Sequence, residues 1–341
     1  RILAAADGWL ALNLPRPDDW PLMPAWLQQE SAPTTFDDLA PHVAQRPLAQ
    51  LVDRGRLLGL ALAAVPDGGP EAAPPWYRLY TTHPGRGVRG RSRPLVVDLS
   101  SLWAGPLCSS LLQSAGARVI RVESEQRTDG ARGGNADFFD LLNAGKECVQ
   151  LDFAGTRGRS QLMALLKVAD MVIEGSRPRA LQQLGIDVQS LLRERPSLLW
   201  LGITGYGRRD PYADWIALGD DAAAASGLVG RSAATGRPLF CGDALCDPLT
   251  GLHAAVAVLA CWQKGVGGLL DISLVDVGRH CAGFHPAGET GVVEYASGSW
   301  QLHSHGERLV VAEPGARRPT ARAGLPGADT RRVLQQVEQA C

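Results

Sequence analysis

The chain has 341 residues, 45% of them apolar and 20% charged, a composition that excludes the disordered and collagenous classes and leaves room for roughly two domains with cores of their own. Lys and Arg total 34 against 35 Asp and Glu, a net charge of -1. No global positive field points to a nucleic-acid partner.

Two short apolar stretches, Gly8 to Leu14 and Leu48 to Val65, flank a segment bearing Pro and Trp and predict a small mixed unit at the start of the chain. From Pro66 to Pro94 the chain is dense in Pro, Gly and Arg and reads as a linker with a boundary near 90. The basic run from Arg86 to Arg93 within it reads as solvated linker in preference to a phosphate patch.

A regular alternation begins at Leu95. Short apolar strands are predicted over Leu95 to Leu99, Val119 to Val122, Cys148 to Phe153, Met171 to Glu174 and Leu198 to Thr204. Between them, helical spacing is predicted over Pro106 to Ala115, Arg159 to Val168 and Arg179 to Leu184. Strand-helix alternation of this kind implies a parallel sheet wound by right-handed crossovers, with helices on both faces. Ligands of such sheets bind where strands end and helices begin, so the loops after each strand are the ones to inspect. The first, Ser100 to Pro106, has one glycine where a dinucleotide fingerprint needs three at fixed spacing.

Further on, Asp247-Pro248 leads into a stretch in which Leu249, Leu252, Val256 and Leu259 fall on one helical face. Pro248 suits the first helical position and Asp247 the N-cap before it. Two readings share this geometry. Asp247 caps a core helix, or the positive helix end keeps it ionised and positions it as a nucleophile.

Seven cysteines form an odd set with no C-x-x-C pair, which indicates neither a disulfide framework nor a zinc site and suits a reducing, cytoplasmic setting. Cys246 reads as buried and inert. The longest apolar stretches, such as Ala254 to Cys261, fall far short of the roughly 20 residues of a spanning helix, and no signal peptide opens the chain. The first residue is Arg, so the chain reads as beginning inside a longer product.

Several segments resemble the family III CoA-transferases (formyl-CoA transferase-like, CaiB/BaiF). They are Val96-Val97-Asp98-Leu99 through Leu102-Trp103-Ala104-Gly105-Pro106, Gly116 to Glu123, and Asn143-Ala144-Gly145-Lys146 with Gln150 to Phe153. Ala169 to Glu174 with Arg177-Pro178, and Gly202 to Gly207, continue the series, and the order and spacing hold over residues 95 to 278. The segment through Asp247 and Thr250-Gly251-Leu252-His253 resembles the one that bears the family's catalytic aspartate. The resemblance implies a CoA-binding, Rossmann-like α/β domain, a smaller α+β domain and an interlocked homodimer, with no metal. Matched residue by residue, it implies CoA contacts from Leu102, Trp103 and Ala104, from Leu151 and Asp152, from Gly175, Ser176 and Arg177, and from Leu218, Gly219, Asp220 and Asp221.

This chain departs from the family pattern in two places. Gly175-Ser176 stands where Asn-Phe is common, and only about 60 residues follow position 280, where a large second domain is expected. Asp7 to Leu12 and Phe36 to Leu39 resemble small-domain material, so residues 1–75 are expected to stand in for the missing part in a permuted or duplicated arrangement. The expected division is a small-domain-like segment over 1–75, a linker over 76–94, the large domain over 95–280 and a completing segment over 281–341. Gly327 to Leu334 resembles the family's closing helix, which makes that end read as complete.

The activity implied is CoA transfer between an acyl-CoA and a carboxylic acid through an aspartyl anhydride and an aspartyl-CoA thioester, with helix N–H groups near Pro248 on the oxyanions. An α-methylacyl-CoA racemase is the first alternative. It would need a histidine where Asp220-Asp221 stand, and His253 reads as structural. A non-catalytic CoA-binding subunit is the second.

Overall fold

The computed structural model describes residues 1–30, 33–68, 70, 72–80, 93–284, 291–313, 315 and 317–340. The basic run at 86–93 therefore lies outside the described residues except for Arg93.

The first unit is an antiparallel sheet, β1 (Ile2–Ala5), β2 (Gly8–Asn13) and β3 (Ala61–Val65), with helices α1 (Met23–Leu27), α2 (Phe36–Ala44) and α3 (Leu48–Leu57) inserted between its second and third strands. Alternation along β2 sorts its two faces. Leu10 and Leu12 join Trp26, Leu39 and Leu51 in a core of this unit's own, while Ala11 turns the other way and meets Val65 and Ala224. Thr35 caps α2 by accepting from the Asp38 N–H at 3.1 Å, and the indole N–H of Trp26 donates to the Leu51 carbonyl at 2.8 Å. The expected small α+β unit is present.

After β4 (Tyr77–Tyr80) come β5 (Leu95–Asp98), α4 (Ala104–Ser114), β6 (Arg118–Ser124), α5 (Ala136–Asn143) and β7 (Glu147–Leu151). The alternation continues through α6 (Thr156–Val168), β8 (Met171–Glu174), α7 (Pro178–Gln183), α8 (Val188–Glu194), β9 (Leu199–Thr204) and α9 (Gly219–Ala225). A two-stranded ribbon, β10 (Val229–Arg231) and β11 (Pro238–Phe240), precedes α10 (Cys246–Gln263), β12 (Gly268–Ser273) and α11 (Leu274–Ala282). The large sheet runs β4-β12-β9-β8-β5-β6-β7. Every pairing is parallel except that of β4, which joins β12 antiparallel. The stretch read as linker over 76–94 thus contains an edge strand. Its residues, Tyr-Arg-Leu-Tyr, are mostly exposed, so no buried apolar run marked it.

Both faces of this sheet are covered, which is why its strands are continuous apolar runs. Val96, Met171, Ile173, Leu201 and Leu270 pack against α4, α9, α10 and α11; Leu95, Val97, Ile120, Val149 and Trp200 pack against α6, α7, α8 and the last helix. The chain winds from β5 to β6 and β7 on one side and then returns to β8, β9 and β12 on the other. The direction therefore switches between β5 and β8, where such sheets bind ligands.

A three-stranded meander, β13 (Val292–Ala296), β14 (Ser299–Ser304) and β15 (Glu307–Val310), follows. The last helix, α12 (Thr330–Ala340), buries Val333 and Val337 against the sheet. Asp329 and Thr330 at its start accept from the Cys148 and Gln150 N–H groups of edge strand β7 at 2.9 and 3.0 Å. Among the described residues no helix is long and apolar enough to cross a membrane.

Candidate active site

Asp247 lies where three helices begin. Its carboxylate accepts from the backbone N–H groups of Ala104 and Gly219, the first residues of α4 and α9, and it is itself the second residue of α10. The expected N-cap role is corrected: α10 starts two residues earlier, at Cys246 with Leu245 in the cap position, and the Asp247 N–H donates to the Ala244 carbonyl at 2.8 Å. The donors that meet the carboxylate come from α4 and α9, since Pro248 has no N–H to give.

Two glycines permit this convergence. A methyl group on Gly251 would lie 2.8 Å from the Ala104 carbonyl oxygen and 2.9 Å from Leu107, so α10 can approach α4 this closely only with hydrogen at that position. One on Gly219 would lie 2.3 Å from the Ala244 oxygen and 2.4 Å from Asp247 Oδ2. Gly219→Ala must push the α9 N-terminus away from the carboxylate. A loss of about 10²-fold to 10³-fold in turnover is expected, as when one oxyanion donor is removed, with the far-ultraviolet circular dichroism unchanged.

The apolar face expected to bury α10 is split: Leu249 and Leu259 pack half-buried against the core, while the two residues between them point outward. Leu252 and Val256 are 49% and 64% exposed, and the buried residues are Thr250, Gly251, Ala254, Ala255, Ala257 and Val258. Close packing on α4 selects small residues, so the larger side chains lie away from the contact.

Burial pushes the Asp247 carboxyl up to about 7; the two backbone donors oppose it, and the charges of Asp220 and Asp243 add to it. The expectation of a fully ionised carboxylate is corrected accordingly, because desolvation outweighs the helix ends. Asp221 is also raised to about 7, chiefly by burial. Cys246 is buried and its thiol is pushed to about 12 by burial, in keeping with an inert core cysteine.

Asp247 lines a cavity of about 490 Å³ with Leu102, Trp103, Leu218, Gly219 and Asp220. Two non-glycine residues on its wall adopt left-handed backbone, Leu102 at φ 67° and Ala244 at φ 47°, a conformation costing about 1–2 kcal/mol each. A carboxylate holds each in place. Asp129 accepts the Leu102 N–H with both oxygens at 3.1 Å, and Asp220 accepts the Ala244 N–H at 2.7 Å. Strain fixed in this way at a pocket wall is a mark of a functional site.

Beneath the Leu102 loop runs a buried ionic network. Arg121 donates to Asn143 at 2.6 Å and also to Asp129. Lys146 Nζ lies 3.3 Å from Asp98 Oδ2 and donates to Ser109 at 2.7 Å, the Pro106 carbonyl at 2.9 Å and Asn143 at 3.0 Å. Burial pushes Lys146 down to about 8 against the pull of Asp98. Burial likewise works against the Asp98 carboxylate, yet Lys146 and Arg121 hold it below the ordinary range.

The remaining residues expected at the CoA site fall in different places. Ala104 contributes its N–H to Asp247. Asp221 is buried, accepting from Asn13 at 2.7 Å and from the Leu218 N–H at 2.9 Å; its carboxylate secures the α9 end and the N-terminal unit, away from the cavity wall. Leu151 is buried in the core, which leaves its side chain no part in a pocket. Asp152 binds Gln126 at 2.6 Å at the strand end, and Ser176 donates to Glu174 at 2.8 Å beside an exposed Gly175. Arg177 lines a second cavity, of about 740 Å³, with Arg16, Arg56 and Arg179.

Three groups on the first cavity had no sequence signal: Leu14, Pro15 and Phe36 of the N-terminal unit, Phe138 of α5 with its cap Asn135, and Ala244. Among the described residues no histidine lines it. His253 Nδ1 donates to the Leu249 carbonyl, 2.8 Å away, and its ring meets Trp76 edge-on at 4.9 Å.

The sequence profile described as CoA-transferase family III matches residues 94–307, more than half of the chain. The chain belongs to that family. A succinate–glutarate CoA-transferase of Agrobacterium fabrum is 30% identical over 200 residues, which cover 53% of this chain and 50% of that protein. Among solved structures, Rv3272 of Mycobacterium tuberculosis, titled a hypothetical protein, aligns with a TM-score of 0.51 at 30% identity and covers 54% of each chain. A CaiB/BaiF family protein of Brucella suis aligns with a TM-score of 0.53 at 26% identity, over 61% of this chain and 64% of that one. This family III chain spans about half the length of the curated relatives it matches.

Proposed function

We propose that the protein transfers CoA from an acyl-CoA donor to a carboxylic acid, with Asp247 as the covalent carrier. The observation that carries this reading is a carboxylate at the junction of three helix N-termini, held by the Ala104 and Gly219 N–H groups and opening into a cavity.

One Asp247 oxygen attacks the thioester carbonyl, the C–S bond breaks, and the CoA thiolate leaves an acyl-aspartyl anhydride. The thiolate then attacks Cγ of Asp247 and expels the donor acid, leaving CoA as an aspartyl thioester. An acceptor carboxylate attacks the same Cγ and releases the thiolate, which finally takes the new acyl group and restores the Asp247 carboxylate. The thiol's reference pKa of about 8.5 makes it a competent leaving group at each pass. The Ala104 and Gly219 N–H groups are the donors for negative charge developing on the Asp247 oxygens.

We assign the phosphates of CoA to the second cavity. Arg16 and Arg179 there are paired with Asp19 and Asp214, whereas among the described residues Arg56 and Arg177 have no carboxylate partner. Partial burial and the neighbouring Arg179 push Arg177 down, the sign of an uncompensated positive charge suited to a phosphate. The loop through Gly175 and Ser176 and the strand end at Leu151 and Asp152 remain candidates for backbone contacts to the carrier arm. The acyl-CoA donor, the acid acceptor and a homodimer complete the proposed set of partners.

Exposure to an acyl-CoA followed by peptide mass spectrometry is expected to find CoA or acyl on the Asp247 peptide; CoA binding without an adduct would favour a passive subunit, and deuterium at the α-carbon without CoA exchange a racemase. Because the nucleophile must be ionised and its carboxyl titrates near 7, the rate of adduct formation should rise with pH through about 7. Well below that value it should fall about tenfold per unit of pH.

A further inference from the structure

We infer that the acyl groups handled at Asp247 are apolar monocarboxylic ones, alkanoyl or aromatic, and that acids carrying a second carboxylate are rejected. This inference rests on the transferase reading above and adds the substrate class.

The walls facing Asp247 carry it. Leu14, Pro15 and Phe36 of the N-terminal unit form one side, and Leu102, Trp103 and Phe138 the other. The Trp103 and Phe138 rings meet edge to face with centroids 4.7 Å apart, a rigid surface suited to alkyl or aryl groups. Two polar side chains of the same cavity are each tied to a protein partner. Asn13 donates to Asp221 at 2.7 Å, and Asn135 accepts the Phe138 N–H at 3.0 Å as the cap of α5. Among the described residues Arg1 is the positively charged side chain on this wall; its guanidinium pairs with Asp37 at 2.7 Å and lies 5.3 Å over the Phe36 ring. Asp220 and Asp247 supply two negative charges. A distal carboxylate on the acyl group would therefore lose its water to face aromatic rings and carboxylates with no unpaired cationic side chain among the described residues of the wall, which is strongly unfavourable. A methylene in the same position gains about fourfold in binding.

The test uses the purified protein at pH 8 with octanoyl-CoA as donor and matched pairs of free acids as acceptors, butyrate against succinate and hexanoate against adipate. The expected result is a kcat/KM at least about 100-fold higher for the monocarboxylate of each pair, increasing about fourfold per added methylene from propionate to hexanoate. In Phe36→Arg the gap should narrow at least tenfold, because the dicarboxylates gain a counter-ion. Equal use of succinate and butyrate by the unaltered protein overturns the inference and leaves the transferase reading intact. Absence of exchange with every acid, in protein that still binds CoA, overturns the transferase reading and this inference with it.

Discussion

Asp247→Asn should abolish CoA exchange, with a loss on the order of 10⁴-fold or more as expected for removal of a covalent nucleophile, while leaving the fold intact. Asparagine keeps an oxygen for the Ala104 and Gly219 N–H groups that hold the carboxylate, so the three helix ends remain tied together. It also removes a partly buried charge, and the stability consequence has a definite sign. A carboxyl raised from 3.8 to about 7 by burial makes the folded state bind the proton more tightly than the unfolded chain. Stability from this group is therefore lost as pH rises from about 4 to 7. At pH 8 the substitution should stabilise the protein, with a ceiling of about 4 kcal/mol at 1.36 kcal/mol per pKa unit; at pH 4 the gain should vanish. Urea midpoints of the two proteins at both pH values read this directly. A carboxylate that served only to tie the helix ends together would leave activity unchanged in this variant, since asparagine caps a helix about as well as aspartate.

Lys146→Met is expected to have the largest effect on stability. Lys146 and Asp98 are both fully buried, and removing the ammonium leaves a carboxylate that retains the Ser100 and Ser109 hydroxyls but loses its nearest cation. Breaking one side of such a pair costs about 3–5 kcal/mol, to be read as a drop in the urea midpoint at pH 7. Asp98→Asn in the Lys146→Met background should recover part of the loss, because no uncompensated charge remains. The network also reaches the site, since Asn143 binds both Lys146 and Arg121, and Arg121 holds Asp129 beneath the Leu102 N–H. Residual activity should accordingly fall by more than the folded fraction alone explains.

The large sheet was readable because each of its strands is buried on both faces and must be an apolar run, and because β5 through β9 alternate with helices at regular intervals. Asp247 was readable as the head of a helix, and its likeness to the family's catalytic segment singled it out. Which way that helix faces was not. Periodicity points to the bulkiest residues, whereas the contact with α4 is made by Gly251, Ala254 and Ala255 because the two backbones approach so closely. The wall of Leu14, Pro15 and Phe36 arises from docking of one unit on another, with Ala11 and Val65 seated on Ala224, and no local pattern encodes a contact between positions so far apart. Tyr77–Tyr80 escaped for a related reason, since an exposed edge strand carries no burial signal.

Strand β7 is the last in its sheet, and a bare last strand is a template on which another chain can add. Here the donors of Cys148 and Gln150 are occupied by the Asp329 carboxylate and the Thr330 hydroxyl. The final helix thus acts as a chemical stopper for sheet growth, using two side chains in place of a neighbouring backbone. Losing it would free those donors and convert a finished edge into a sticky one.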